Sequence, residues 1–249
     1  MERIAFFVCA IARMLKDRKH VAVGANSPLQ AAAALAAQAL ATDDMRVSIL
    51  GTKRHSSFAS FGDLFDCAAT GRLDAFFLSP GQIDGQANIN MVGIGTYPRF
   101  DVRWPGSHGA PLLYMLIPNI ILFKEEHSPR TLVRAVDFVS APGTSPPNVY
   151  RTGGPTTLLT GKACFSFDPA AARFTLESAH PGVGIDEILA NTGFEFDHPS
   201  HVPVTAPPEA DMLDVIRQHV VPRIRELYPQ FADSLLGSAN GYAESAPGV

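Results

Sequence analysis

The sequence predicts an α/β protein built on an open, mostly parallel sheet, with additional β-structure in its second half. One observation is the alternation of short apolar segments with helical segments over residues 20–78. Another is that loops and turn-forming residues separate these segments. Beyond residue 140, proline- and glycine-rich turns interrupt the alternation. Such a pattern is typical of parallel strands whose connecting helices cover both faces of the sheet.

The individual elements follow from periodicity and from residues that start or stop helices. Apolar residues recur at helical spacing over residues 4–15 and predict a first helix, and residues 21–24 predict a short buried strand. Ser27 and Pro28 favour the start of an alanine-rich helix that runs to residue 41. The next predicted elements are strands at 46–50, 74–78 and 120–123 and a helix at 63–69.

The second half is predicted to hold a strand at 162–167 and a helix at 181–190. A final helix at 211–226 is expected to be interrupted at Pro222, because proline breaks the helical hydrogen-bond ladder. We expect residues 1–236 to form a single domain. Residues 237–249, rich in Ser, Gly and Ala, are expected to be a disordered tail.

Composition excludes several classes of function. The 249 residues are 46% hydrophobic and 18% charged, which suits a globular protein with a sizeable core. No apolar run reaches the roughly 20 residues of a membrane span, so no membrane span is expected. A net charge of −4 argues against a nucleic-acid partner. Three widely separated cysteines predict neither a disulfide framework nor a metal site, and they favour the cytoplasm.

Candidate binding residues lie in loops that follow predicted strands, where ligands bind to open α/β sheets. Gly24 and Asn26 follow the first strand, and Gly51 follows the second. His127 comes just after the apolar segment 120–123, where it could contact a ligand or could serve as a structural histidine.

A third loop offers neutral amides. Gly81 and Gln82 follow the strand at 74–78, and Asn88 and Asn90 come shortly after. Amide side chains are suited to holding carbonyl and carboxylate groups of a ligand. The alternative is that Asn88 and Asn90 brace turns by bonding to local backbone.

Four segments, taken in order, resemble the β-type subunit of family I CoA-transferases. They are residues 81–95, with the amides above; 106–110, which is Gly-Ser-His-Gly-Ala; 125–143, which begins Glu-Glu-His; and 180–194, which ends Asn-Thr-Gly-Phe. Two departures stand out, because Ala87 and His108 occupy places where the family usually carries glycine. The last segment is expected to be architectural, with Pro181 and Gly182 starting a helix.

The resemblance implies an α/β fold and an α-type partner chain, in an assembly such as α2β2. It also implies a coenzyme A ester as substrate, with no metal and no permanently bound cofactor. Backbone N–H groups of Gly109 and Ala110 would stabilise negative charge on the thioester oxygen, with His108 beside them. Gln82, Asn88, Asn90 and His127 would position the acyl group.

One position departs from the family in a way that affects the chemistry. Family members carry a strand-end glutamate that attacks the acyl-CoA and becomes a covalent thioester, and the resemblance places Ile49 there. Three alternatives stay open. Glu125 or Glu126 could supply the carboxylate; the α-type partner could activate water, as in ring-opening CoA-thioester hydrolases of this superfamily; or the chain could bind acyl-CoA without catalysis.

Overall fold

The structure, a computed structural model, describes residues 3–52 and 56–245. Its elements in chain order are α1 Arg3–Met14, β1 His20–Val23, α2 Pro28–Leu40, β2 Arg46–Ile49, α3 Phe61–Ala69, β3 Ala75–Leu78, β4 Gln82–Ile83, β5 Ile89–Asn90, β6 Gly93–Thr96, β7 Arg99–Arg103, α4 Ala110–Leu116, β8 Asn119–Lys124, β9 Pro155–Thr160, β10 Ala163–Asp168, β11 Arg173–Ala179, α5 Ile185–Asn191, α6 Ala210–Val215, a π-helical segment Ile216–Val220, α7 Val221–Arg225 and α8 Pro229–Ser245.

The chain divides into two compact units. The terminal unit consists of the N-terminal segment up to Ser60 and the C-terminal segment from Ala206. The central unit consists of Phe61–Thr205. The single domain expected over residues 1–236 stays a prediction.

In the terminal unit, β1 and β2 form a parallel pair whose last partners are Val23 and Ile49. Helices α1 and α2 pack together. The α2 residues from Ala31 to Ala37 are all buried, because alanine lets two helices approach closely and loses no side-chain entropy. Pro28 lies in the first turn of α2 as predicted, but the Ser27 side chain makes no capping bond to the helix.

In the central unit, β3, β8 and β9 are parallel, and β10 pairs antiparallel with both of its neighbours, β9 and β11. Two short hairpins, β4–β5 and β6–β7, follow β3. The α/β class, the mostly parallel pairing and the added β-structure in the second half are therefore confirmed. Among the elements that the sequence predictions lack are the β6–β7 hairpin, α4, β9 and α8.

Two predicted helices have different boundaries in the structure. The helix expected from residue 181 begins at Ile185, because Gly182 adopts φ 81° and a left-handed residue cannot continue a helix. The helical stretch expected at 211–226 is not broken at Pro222; it runs from α6 through the π-helical segment into α7. The π-helical segment directly precedes the proline, which lies in the first turn of α7.

The expected disordered tail is helical as far as Ser245, because α8 extends through it. The α8 residues Leu235, Ser238 and Ala239 are completely buried, and Ser238 Oγ, within the expected tail, accepts a hydrogen bond from the Ala5 N–H at 2.9 Å. Packing against α1 therefore orders a segment whose composition alone suggests disorder. Residues 246–249 of the expected tail lie outside the described residues. Over residues 3–52 and 56–245, no helix has both the length and the apolar character needed to cross a bilayer.

Candidate functional site

The candidate site of the central unit lies where the parallel strands β3 and β8 end side by side. Leu78 pairs with Leu122 near the ends of these strands. The chain after β3 leads to Gly81 and Gln82, and the chain after β8 leads to Glu126 and His127. The register thus brings together two of the predicted loops, as expected for the carboxyl edge of a parallel sheet.

The buried amide of Gln82 lies at the centre of a hydrogen-bond network that reaches the exposed Asp137. Its Oε1 accepts hydrogen bonds from Asn90 Nδ2 at 2.7 Å and from the Asp137 N–H at 3.0 Å. Its Nε2 donates to Asp137 Oδ2 at 3.2 Å, and that carboxylate oxygen also accepts the Gly95 N–H at 2.9 Å. Asn90 is completely buried and donates as well to Gly93 O at 2.7 Å. The network ties the β4–β5 hairpin to the β6–β7 hairpin and to the segment at Asp137.

Asn88 braces the turn between β4 and β5. Its backbone N–H and side-chain Nδ2 each donate to the buried Asp84 carboxylate at 3.0 Å, and its Oδ1 accepts the Gly143 N–H at 3.1 Å. Ala87 in this turn has φ 56°, the backbone conformation that glycine would adopt without cost. The amides of the Gln82 network and of Asn88 therefore act on the chain itself, and their predicted contact with a ligand stays a prediction.

The Gly106–Ala110 segment leads directly into α4. His108 has φ 45° and its ring lies 4.8 Å from the ring of Phe61, edge to face. Gly109 lies so close to Phe65 that a Cβ there would fall 2.1 Å from the ring. The Ala110 N–H donates to Ser107 O at 2.9 Å, so one of the two predicted oxyanion donors is already engaged. The role of Gly109 and Ala110 at an oxyanion stays a prediction.

His127 is buried between two threonine hydroxyls. Its Nδ1 is 2.7 Å from Thr160 Oγ1, and its Nε2 is 2.9 Å from Thr192 Oγ1. Each hydroxyl also lies within hydrogen-bonding distance of a backbone carbonyl, Thr160 with Ala163 O at 3.0 Å and Thr192 with Ile188 O at 2.8 Å. Both ring nitrogens are therefore engaged by the chain itself. A neutral imidazole has one N–H and one acceptor nitrogen, so the ring donates to one hydroxyl and accepts from the other.

Burial is the main influence on the ionisation of His127. It lowers the pKa of the ring to about 4, and the positive charge of Lys162 acts in the same direction. The ring is therefore neutral at pH 7 and cannot supply a positive charge to a bound ligand. A neutral ring held at both nitrogens has the environment of a structural histidine, which was one of the two alternatives open from the sequence.

The Glu126 carboxylate is paired within its own loop. Arg130 Nε donates to Oε1 at 3.0 Å and Arg130 Nη2 donates to Oε2 at 2.9 Å. Ser128 Oγ donates to Oε1 at 2.8 Å. These bonds, with Arg130 first, hold the pKa of Glu126 below its usual range. A carboxylate whose charge is held by these bonds is a weaker base and nucleophile than a free one, which disfavours Glu126 as the substitute for the missing glutamate.

A cavity of about 280 Å³ adjoins Glu126 and Arg130. Its other walls include Trp104 and Lys124, which the sequence reasoning missed. The Trp104 ring covers Gly81 so closely that a Cβ on Gly81 would fall 2.2 Å from it. Two features of the sequence could have indicated Trp104: it is the only tryptophan in the chain, and it stands two residues before the segment 106–110. The cavity combines an aromatic face with cationic side chains.

The terminal unit brings its own predicted residues together. Gly24 and Asn26 follow β1 and Gly51 follows β2, and a backbone hydrogen bond of 2.9 Å from the residue 50 N–H to the residue 23 carbonyl joins the two strand ends. Ile49, the last residue of β2, is completely buried. Thr52 Oγ1 donates to Ile49 O at 2.8 Å. The two loops lie side by side, as the parallel pairing of β1 and β2 requires, and the hydrocarbon side chain of Ile49 lies at the end of β2. Their contact with a ligand stays a prediction.

A model of the coenzyme A transferase family matches residues 42–191, well over half of the chain. This chain belongs to the coenzyme A transferase family. The membership expected from the four segments is thus confirmed.

Two similar family members are B-type subunits. The chain is 30% identical to the B-type subunit of 3-oxoadipate CoA-transferase from Pseudomonas knackmussii, over 59% of its own length and 58% of that protein. It is 31% identical to the B-type subunit of glutaconate CoA-transferase from Acidaminococcus fermentans, over 59% of its own length and 56% of that protein. The matched region thus spans less than three fifths of each of these relatives.

Other similar proteins have different activities. The chain is 29% identical to the IpdB component of the cholesterol ring-cleaving hydrolase from Rhodococcus jostii, over 66% of this chain and 65% of that protein. Among solved structures, the decarboxylase AibA/AibB matches with a TM-score of 0.73 at 25% identity, over 94% of this chain and 98% of that chain. Rhodococcus jostii IpdAB has the same fold, with a TM-score of 0.78 at 23% identity, over 90% and 96%.

Proposed function

We propose that this chain is the β-type subunit of a CoA-transferase-like enzyme that acts on an acyl-CoA thioester, moving CoA between carboxylic acids. The family membership of residues 42–191 carries the proposal. The B-type relatives and the two-component AibA/AibB and IpdAB structures support an α-type partner chain. The coenzyme A ester is a substrate rather than a resident cofactor. Cysteines at positions 9, 67 and 164 that form no disulfide fit the cytoplasm.

The cavity at the end of β3 and β8 is our candidate for the substrate contact of this chain. Arg130 is committed to Glu126, whereas Lys124 lines the same wall at the last position of β8. A lysine there suits a negatively charged part of a CoA ester, and the Trp104 ring offers an apolar face for the neighbouring atoms. Gln82 acts in this proposal as a positioning residue, because its network holds the hairpins that carry the cavity wall.

Hydrolysis is the second candidate, and Ile49 is the observation that favours it. If Ile49 occupies the place of the family glutamate, no carboxylate at that strand end can attack the thioester carbonyl. Water would then be the nucleophile, with a carboxylate from the α-type partner as the base. It would add either to the thioester carbonyl, with the CoA thiol leaving, or to a ring carbonyl, with a carbon–carbon bond breaking and the carbon that leaves taking up a proton. The similarity to the IpdB hydrolase component agrees with this alternative.

Fluorescence of Trp104 tests the substrate contact, because it is the only tryptophan of the chain. The chain, co-purified with an α-type subunit whose own tryptophans are replaced by phenylalanine, is titrated with glutaryl-CoA and acetyl-CoA. We expect saturable quenching, weakened about tenfold by Lys124→Met through loss of a charged contact. Arg72→Met removes a cation elsewhere in the central unit and should leave the titration unchanged. Equal titrations of the Lys124 and Arg72 variants would refute the contact.

Trapping experiments separate transfer from hydrolysis. During turnover, borohydride or hydroxylamine labels a protein carboxylate only if a glutamyl thioester forms. Transfer predicts such a label and CoA ester formation with an added carboxylate. Hydrolysis predicts no label and one ¹⁸O atom in the carboxylate that forms in H₂¹⁸O, either on an acid released from CoA or on a ring-opened CoA ester. Binding of CoA esters without either product would identify a non-catalytic subunit and overturn the proposed activity.

A further inference from the structure

The central unit contains a further cavity, of about 530 Å³, at the amino ends of the parallel strands β8 and β9. Pro118, which precedes β8, and Pro155, which begins β9, both line it. Strand β8 runs from this end to Lys124 at the candidate substrate cavity, and at ~3.3 Å per residue the strand spans about 20 Å. The volume lies within the roughly 300–1,000 Å³ that is typical of small-molecule sites. The cavity is therefore large enough for a ligand and separate from the candidate site.

Arg151 supplies the charge of this cavity. Of the described residues that line it, Arg151 is the only charged one. Its guanidinium donates to Gly153 O at 2.8 Å, to Pro142 O at 2.9 Å and to Ser145 Oγ at 3.1 Å. A longer bond of 3.4 Å runs from Nη2 to Tyr114 O. These four acceptors are neutral, so they fix the position of the guanidinium and leave its positive charge without a carboxylate partner.

The surroundings of Arg151 favour an anion in the cavity. Burial lowers the pKa of Arg151, and the Tyr114 phenol acts in the opposite direction. The carboxylate closest to the lining in sequence, Asp168, is exposed and accepts the Ala170 N–H at 2.8 Å. Arg130, by contrast, has a carboxylate partner in Glu126. A half-buried guanidinium has lost part of its hydration, so an anionic ligand would stabilise it more than it would stabilise an exposed arginine.

Two threonine hydroxyls and a glycine leave room and donors for that anion. Thr144 and Thr156 line the cavity, and neither hydroxyl forms a hydrogen bond within residues 3–52 and 56–245. Thr156 is the extra residue of a β-bulge in β9, a feature that turns a side chain out of the regular strand pattern. A Cβ on Gly154 would fall 3.1 Å from Arg151 Nη2, so the glycine leaves this nitrogen uncovered.

The other walls of the cavity are apolar. They include Pro146, Pro147 and Val149 from the loop before β9, and Phe167 from β10. Proline rings and a phenylalanine ring offer flat faces, against which an aromatic ring packs well. A phosphate ester carries about −1.5 to −2 charges, more than one guanidinium neutralises, whereas a carboxylate carries a single charge. The lining therefore suits a ligand that has one carboxylate and a flat apolar body.

We propose that this cavity binds an aromatic monocarboxylate, with its carboxylate on Arg151 and on the hydroxyls of Thr144 and Thr156, and its ring against Pro146 and Pro147. The site does not depend on the proposed enzymatic function, because none of its residues is assigned to acyl-CoA and the length of β8 separates the two cavities. Charge-assisted hydrogen bonds are the strongest contacts in this arrangement, so the head group sets the selectivity.

Calorimetric titration of the full chain with benzoate, benzamide and phenyl phosphate tests the proposal. We expect saturable binding of benzoate. Benzamide has the same shape without the charge and should bind at least tenfold more weakly. Phenyl phosphate should also bind more weakly than benzoate, because one guanidinium leaves part of its charge uncompensated. Arg151→Gln should weaken benzoate at least tenfold, through loss of the charged donor.

A pair of threonine variants keeps the test valid if Arg151→Gln disturbs the loop to which Arg151 bonds. Thr156→Val preserves the shape and removes a hydroxyl that the described chain does not use, so it should weaken benzoate about fivefold with an unchanged circular dichroism spectrum. Thr157→Val alters the next residue of β9, which does not line the cavity, and should change the affinity less than twofold. The proposal is overturned by equal affinities for benzoate and benzamide, by tighter binding of phenyl phosphate, by equal effects of the two threonine variants, or by no binding of benzoate.

Discussion

At the scale of single residues, side-chain burial decides what each predicted site residue can do. His127 follows a predicted strand, at a position where the sequence pattern predicts a ligand contact. In the structure, however, each of its two ring nitrogens is hydrogen-bonded to a threonine hydroxyl. Gln82 and Asn90 likewise use their amides on the chain. Sequence reasoning offered the structural alternative for both His127 and Asn90. It could not choose for His127, because the partners Thr160 and Thr192 lie 33 and 65 residues away along the chain.

The first residue-scale prediction concerns Ile49→Glu. Ile49 is completely buried and apolar, so a glutamate there must ionise without water or remain protonated with a raised pKa. We expect urea denaturation at pH 7 to show a loss of roughly 3 kcal/mol or more, against about 1 kcal/mol for the matched Ile49→Val. A glutamate tolerated without loss would mean that this position faces a water-accessible site, as in the resemblance to the family.

The second residue-scale prediction follows from the pKa of His127, which burial lowers to about 4. In the unfolded chain the imidazole titrates near ~6.5, so between these values the unfolded state binds a proton that the folded state excludes. The stabilisation is full above the unfolded pKa and is lost as the pH falls towards about 4. Between pH 7 and pH 5 this group alone removes about 2 kcal/mol from the free energy of unfolding.

His127→Gln should abolish that part of the pH dependence, as measured by urea denaturation at pH 7 and pH 5. The exposed His198 provides the control, since His198→Gln should retain the pH dependence of the unmodified chain. Other buried histidines, such as His20 and His180, stay in both variants and cancel in the comparison. An unchanged slope in the His127 variant would contradict the burial of a neutral ring.

At the scale of elements, local pattern predicts the type of each element and tertiary contact sets its limits. The short apolar segments became β1, β2, β3 and β8 within two residues of the predicted bounds. The β6–β7 hairpin was missed, because its strands are short, largely exposed and rich in glycine and charge. Helix α8 was missed because its low hydrophobicity resembles a tail, whereas packing buries one stripe of it.

The element-scale prediction is that the end of α8 stabilises the terminal unit. Deleting residues 238–249 removes the buried Ser238 and Ala239 and leaves the Ala5 N–H without its acceptor. We expect a loss of about 2 kcal/mol in urea denaturation, from one unsatisfied buried donor and the lost apolar contact. The matched deletion of residues 246–249 keeps every described contact and should cost little. Equal stability of the two truncated chains would restore the expectation of a tail.

At the scale of the whole molecule, chain topology gathers candidate residues into clusters within each unit. Parallel pairing aligns the ends of β1 and β2 in the terminal unit and of β3 and β8 in the central unit. The loops that follow therefore adjoin, as the sequence pattern predicts. No sequence pattern predicted that Trp104 and Lys124 line the central cavity. They do so because the residue that follows the β6–β7 hairpin and the last residue of β8 lie close together there.

The sequence by itself determined the α/β class, the order of the main elements, the family and the apolar identity of residue 49. These properties reside in local periodicity and in ordered short motifs, which need no knowledge of contacts. Only the tertiary structure decided which polar side chains form hydrogen bonds within the protein, which cavities exist and where the last helix ends. Those outcomes depend on partners distant along the chain, such as Ser238 with Ala5 and Gln82 with Asp137.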